Sequence, residues 1–302
     1  MLMSAVLTGC ALFKNRDIAL FAFEPYGKAG ETVFRVLVGT EWRHYKIEPG
    51  WASIGMAAAK YPAQPDWIIV AASSEGHLWE LTPGGSAEKE TRIPGDYDGL
   101  TKLAAIDDAV WACGMGRLVL RRNADGTWTN LSAPDPPLEE GVIGFNGIAG
   151  TAEEVTAVGW KGEIWVRTDD RWEAQDSGTN THLNAVSVSP KGEVVAVGDD
   201  GTVVVGRRNR WSVLDINVEF NFQGVCHFGD EVFICSDFDI YRLEKDRLVA
   251  ETRFAAGEEP RTCMNLLPAK ESVFSQGEKD IFKFTEGVWT RVFSIGPGSP
   301  GA

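Results

Sequence analysis

The chain reads as an all-β protein, a seven-bladed β-propeller with four-stranded antiparallel blades. Three observations predict it: an internal repeat between 37 and 46 residues long, short alternating or apolar runs within each repeat, and turn residues between the runs. At 302 residues, all seven units fit in one domain.

The repeat is plainest in two copies. Ala157-Val158-Gly159-Trp160-Lys161-Gly162-Glu163-Ile164 ends at Arg171-Trp172, and Ala196-Val197-Gly198-Asp199-Asp200-Gly201-Thr202-Val203 ends at Arg210-Trp211, 39 residues later at both ends. Equivalent apolar anchors fall at Phe34, Leu78, Leu118, Ile164, Val203, Ile240 and Ile281, separated by 44, 40, 46, 39, 37 and 41 residues. An apolar residue follows the anchor by eight positions in five units, at Trp42, Trp172, Trp211, Leu248 and Trp289, and Trp128 follows Leu118 by ten. The expected blades are residues 1–47, 48–93, 94–132, 133–176, 177–215, 216–253 and 254–295, followed by a flexible tail, 296–302.

The fifth unit shows the strands best. Its runs are 183–188, 194–197, 202–205 and 211–214, broken by Pro190-Lys191-Gly192, Asp199-Asp200-Gly201 and residues 207–210. No run of ten or more residues carries apolar positions at i, i+3 and i+4, so a helical solenoid is excluded.

The stretch Gly162-Glu163-Ile164-Trp165-Val166-Arg167-Thr168-Asp169-Asp170-Arg171-Trp172, with Ser177-Gly178-Thr179 and Leu183-Asn184-Ala185-Val186, resembles the BNR-type, or Asp-box, propellers. That family includes sialidases and the photosystem II assembly and stability factors. Asn123-Ala124-Asp125-Gly126-Thr127-Trp128 is a degenerate second copy. In such a turn Asp and Gly close the hairpin between third and fourth strands while the aromatic folds under it. The motif is a folding device and names no reaction. The sialidase branch implies three arginines on a carboxylate and a tyrosine nucleophile, and no such set falls at matching positions in this shorter chain.

The formal charge of −14, from 29 basic and 43 acidic residues, argues against nucleic acid as a partner and favours a basic protein. The five cysteines, at 10, 113, 226, 235 and 263, are odd in number and lack close spacing, as expected of buried thiols in a reducing compartment. Cytoplasmic localisation and a monomer before partner binding are therefore expected, with no membrane partner. Leu7-Thr8-Gly9-Cys10 has the form of a lipobox, but no Lys or Arg precedes it, so the residues read as first strand; a lipoprotein anchored at Cys10 is the alternative if the start is mis-assigned.

No catalytic constellation, cofactor site or metal site is expected. The four histidines, at 44, 77, 182 and 227, stand apart, and Cys226-His227 are strand neighbours that face opposite ways. Gly114-Met115-Gly116 is too short for a phosphate loop.

In a propeller, the turns between second and third strands share one end of the ring with the links between blades. That end is expected to hold Glu75, Trp160, Lys161, Asp199, Asp200, Asp237, Phe238, Asp239, Glu278 and Lys279 from the turns. The links add Asp135, Glu139, Glu140, Glu219, Glu258 and Glu259. The opposite end is expected to mix Lys14, Arg16, Lys191, Arg207, Arg208, Arg210, Lys245, Arg247 and Lys270 with Asp107, Asp108, Glu153 and Glu154. The expected function is non-enzymatic: an acidic rim with aromatic anchors that captures a basic protein, specifically an immunity protein neutralising a bacterial toxin. The partner-binding candidates are Trp160, Lys161, Asp199, Asp200, Asp237, Phe238, Asp239, Glu278, Glu139, Glu140 and Glu219. A glycan-binding or glycan-processing propeller and an assembly factor are the alternatives.

Overall fold

The computed structural model describes residues 5–12, 18–25, 32–38, 41–45, 50–62, 66–82, 88–95, 97–137, 141 and 143–294. Glu139, Glu140, Lys14, Arg16 and the expected tail 296–302 lie outside the described residues, as do the side chains of residues 7–10 and of Trp42.

The strands follow one another in chain order. The first sheet holds β1 (Ala5–Leu12), β2 (Ile18–Pro25), β3 (Val33–Val38) and β4 (Glu41–Tyr45), and the second β5 (Gly55–Ala59), β6 (Ile68–Ala72), β7 (His77–Leu81) and β8 (Glu88–Arg92). The third holds β9 (Leu100–Ile106), β10 (Ala109–Gly114), β11 (Val119–Arg122) and β12 (Trp128–Asn130), and the fourth β13 (Phe145–Gly150), β14 (Val155–Gly159), β15 (Ile164–Thr168) and β16 (Arg171–Gln175). The fifth holds β17 (Leu183–Val188), β18 (Val194–Gly198), β19 (Val203–Arg207) and β20 (Arg210–Val213). The sixth holds β21 (Gly224–Phe228), β22 (Glu231–Cys235), β23 (Ile240–Glu244) and β24 (Arg247–Ala250). The last holds β25 (Asn265–Pro268), β26 (Val273–Gln276), β27 (Asp280–Thr285) and β28 (Val288–Ser294). The first strand of each sheet is innermost, and β1 touches both β5 and β25.

The expectation of a seven-bladed ring of like units is corrected on one count. Four paired strands with a described side-chain core occur six times, in β5–β28, an all-β six-bladed body of four-stranded antiparallel blades. The N-terminal strands β1–β4 pair as a further sheet, and its Phe34 joins the second sheet's core, where it stacks on Trp79 at 4.1 Å. A period in the sequence counts sets of four strands. It does not say whether each set fills a core of its own.

Second strands are buried on both faces, as in β6, β10, β14 and β18, because each blade is packed between neighbours. Their composition follows: Ile, Val and Ala runs with no alternation.

Innermost strands carry a repeated device. The pairing register slips between Leu100 and Lys102, between Phe145 and Gly147, and between Leu183 and Ala185, leaving Thr101, Asn146 and Asn184 as bulged residues. Each turns its side chain to the next sheet. Thr101 Oγ1 donates to the Phe145 carbonyl at 2.5 Å, Asn146 Nδ2 to that of Leu183 at 3.1 Å, and Asn184 Nδ2 to that of Phe222 at 3.1 Å.

The repeated tryptophans tie blades together from outside. Trp172 Nε1 donates to the Leu131 carbonyl of the preceding blade link at 2.5 Å, and Trp211 Nε1 to Gln175 Oε1 at 3.2 Å. Trp289 is fully buried against Phe233, Phe254 and Phe284. Asp125 closes its hairpin by accepting from the backbone and hydroxyl of Thr127, which holds its carboxyl below the usual value.

Candidate functional site

The hairpins that join second to third strands meet the blade links at one end of the ring. Trp160 N–H donates to the Gly144 carbonyl, Asp199 N–H to that of His182, Gly201 N–H to that of Phe220, and Cys263 N–H to that of Asp237. Such bonds fix where each turn side chain emerges.

Around the fourth and fifth sheets the turn residues form one cluster. Trp160 stacks on His182 with ring centroids 4.9 Å apart, and its Nε1 donates to Asn146 Oδ1 at 3.2 Å. His182 Nδ1 lies 3.8 Å from Asp199 Oδ2, and Asn184 Nδ2 donates to Asp199 Oδ1 at 2.8 Å. Asp199 is thus oriented from two sides, and Trp160 is held flat by its neighbours. Lys161 sits beside Trp160 at φ 54°, exposed, in a tight turn. The turn then continues into Gly162, where an added Cβ would lie 2.0 Å from the Thr179 carbonyl oxygen.

Around the sixth sheet the same end turns apolar and acidic together. Phe238 is 63% exposed at the tip of the turn, with Asp237 and Asp239 on either side. Ser236 Oγ accepts from the backbone N–H groups of Phe238 and Asp239, which fixes the turn. Phe220, next to Glu219, is 38% exposed and stacks on Tyr241 at 5.6 Å, while Met264 is 39% exposed. Asp200 and Glu219 are exposed, and Glu278 is half-buried at the mouth of the central channel.

Sequence reasoning missed His182, Asn184, Phe220, Tyr241 and Met264. A signal existed for one pair: Phe145-Asn146-Gly147 and Leu183-Asn184-Ala185 repeat a polar residue inside an apolar run, the pattern of a bulge. Phe220 and Met264 lie in links between blades, which periodicity does not reach, and Tyr241 lies on β23 beside the anchor Ile240, where its position alone names no partner.

Among the described residues, no group of three or more His, Cys, Asp or Glu side chains is arranged to hold a metal ion. No helix among them is long and apolar enough to cross a membrane. Cys113, Cys226, Cys235 and Cys263 are buried free thiols, and burial raises all four pKa values, those of Cys113 and Cys263 to about 12. Such thiols are poor nucleophiles.

No family model matches the chain. The chain is similar to the immune protein Tsi7 of Pseudomonas aeruginosa, 35% identical over 194 residues, which span 63% of this chain and 63% of that protein. Among solved structures, YCF48 bound to D1 peptide superposes with a TM-score of 0.68 at 14% identity, covering 93% of both chains. Virginiamycin B lyase from Staphylococcus aureus does so with a TM-score of 0.67 at 10% identity, covering 90% of this chain and 92% of that one. At these identities the two structures speak for the propeller fold alone, and the likeness to YCF48 is a likeness to a BNR-type propeller.

Proposed function

We propose that the protein is a non-enzymatic immunity protein that neutralises a bacterial toxin by binding it at the acidic end of the ring. The observation that carries this reading is the gathering of Asp199, Asp200, Asp237, Asp239 and Glu219 around the exposed rings of Phe238 and Phe220. Aromatic anchors inside a charged rim are the anatomy of a protein interface, and negative charge selects a basic partner. The likeness to the immune protein Tsi7 supports the choice of a toxin as that partner. Buried free thiols suit a reducing compartment, and the cytoplasm is the proposed site of action. Lys161 completes the proposed surface beside Trp160, and Glu278 closes it at the channel mouth.

Binding by such a rim needs no chemistry from this chain. A toxin whose own site is basic would be covered and so blocked. The test is co-expression with each candidate toxin encoded in the neighbourhood of this gene, scoring survival and co-purification. Wild type is expected to protect and to co-purify, and the quadruple variant D199N/D200N/D237N/D239N to bind at least tenfold more weakly. The loss should be greatest at low salt, where exposed charges are least screened. Failure of the wild type to protect against, or co-purify with, any of them sinks the immunity reading. Equal binding by the quadruple variant sinks the acidic rim.

A further inference from the structure

The innermost strands enclose a central channel of about 590 Å³. Its described walls are mostly alanine, glycine and aliphatic side chains, and the charged residues among them are Lys102 and Glu278. Lys102 follows the bulged Thr101 on β9, in the third sheet. Its Nζ reaches Asn265 Oδ1 at 3.4 Å, on β25 of the last sheet. The pair therefore bars the channel near the acidic end.

Lysine ammonium only donates, so the amide of Asn265 must turn its oxygen to Lys102. Two Nζ protons and both Nδ2 protons remain. What the channel then offers is a patch of donors with one positive charge, and Lys102 has no carboxylate within ion-pair distance among the described residues. Lys102 is half-buried, and a cation that loses part of its hydration without a counter-ion is costly, so desolvation lowers the Lys102 pKa. An acceptor-only group with one negative charge satisfies both the donors and the charge. A doubly charged phosphate would be repelled by the acidic rim through which it must enter.

We propose that Lys102 and Asn265 form a binding site for a monocarboxylate in the central channel. The carboxylate belongs either to a free small acid or to the end of an inserted peptide chain. The site does not depend on the toxin reading and stands or falls by its own measurement.

The test is a titration of the full chain with sodium acetate, with acetamide and sodium chloride at matched ionic strength as controls, read by NMR saturation transfer to the carbon-bound protons of the added molecule, methyl for acetate and acetamide and methylene for the peptides. Hexaglycine with a free and with an amidated C-terminus forms the second arm. Saturable binding of acetate identifies a small acid as sufficient, and binding of the free-ended hexaglycine alone identifies a chain end. In either case acetamide and the amidated peptide are expected not to bind. Lys102→Met should weaken binding at least tenfold and Asn265→Leu severalfold, whereas Lys102→Arg, which keeps the charge, should retain most of it. Thermal unfolding of each variant checks that the fold is intact. The proposal is overturned if neither acetate nor free-ended hexaglycine binds saturably, if folded Lys102→Met protein binds as tightly as wild type, or if folded Lys102→Arg protein loses binding as Lys102→Met does.

Discussion

Arg122 on β11 and Glu80 on β7 form a buried pair between the second and third sheets, with Nε–Oε1 at 2.7 Å and Nη2–Oε2 at 3.1 Å. The guanidinium also donates to the Asn123 carbonyl and lies 5.6 Å over the Tyr61 ring, whose hydroxyl donates to the Arg122 carbonyl. Arg122→Met leaves the Glu80 carboxylate buried without its partner. The expected cost is about 3–5 kcal/mol, read as a lower urea midpoint at unchanged slope. A loss below about 1 kcal/mol would mean that the carboxylate finds water or another donor. At this scale the sequence revealed residue types and little of their pairing. Glu80 and Arg122 are 42 residues apart, and nothing local connects them. Trp172 and Trp211 were legible because they repeat at a fixed interval, and their structural role follows from the inter-blade bonds they make.

At the scale of the element, strand limits followed from simple patterns. The runs expected at 183–188, 194–197, 202–205 and 211–214 correspond to β17, β18, β19 and β20 with ends differing by two residues at most. The anchor positions mark where third strands begin, Leu118 lying one residue before β11. The bulges were not read: the polar residue inside an apolar run at Asn146 and at Asn184 is a local trace of them, but a bulge is a relation between two strands and is fixed only by their register. Asn184 sits on such a bulge and serves both the fold and the proposed site, bonding the Phe222 carbonyl and Asp199. Asn184→Leu should destabilise by about 1–3 kcal/mol, since a carbonyl loses its donor. It should also weaken partner binding by freeing Asp199. Urea unfolding and the binding assay are to be measured together. Lost stability with unchanged affinity would show that Asp199 needs no positioning.

For the whole molecule, buried thiols give a pH dependence with a definite sign. Cys113 and Cys263 are raised from 9.0 to about 12, chiefly by burial, so the unfolded chain ionises first. Their contribution is complete below pH 9 and is lost as pH rises from 9 towards 12, at up to about 1.4 kcal/mol per pH unit for each thiol. The Cys113→Ala/Cys263→Ala variant should therefore show a shallower decline of the unfolding midpoint across that window. Parallel curves for wild type and variant would contradict it. The end of the ring that each turn reaches has a similarly global origin: hairpins in a propeller alternate ends, which a repeat in the sequence already implies.

The sequence by itself determined the all-β repeat, the strand order within a unit and the end of the ring to which each turn belongs, because these follow from local periodicity and chain direction. Tertiary structure decided the rest. It drew Trp160, His182 and Asp199 into one cluster and laid Lys102 across the channel to Asn265. Those contacts join residues from different blades. Their geometry depends on ring closure and strand register, which no single repeat encodes.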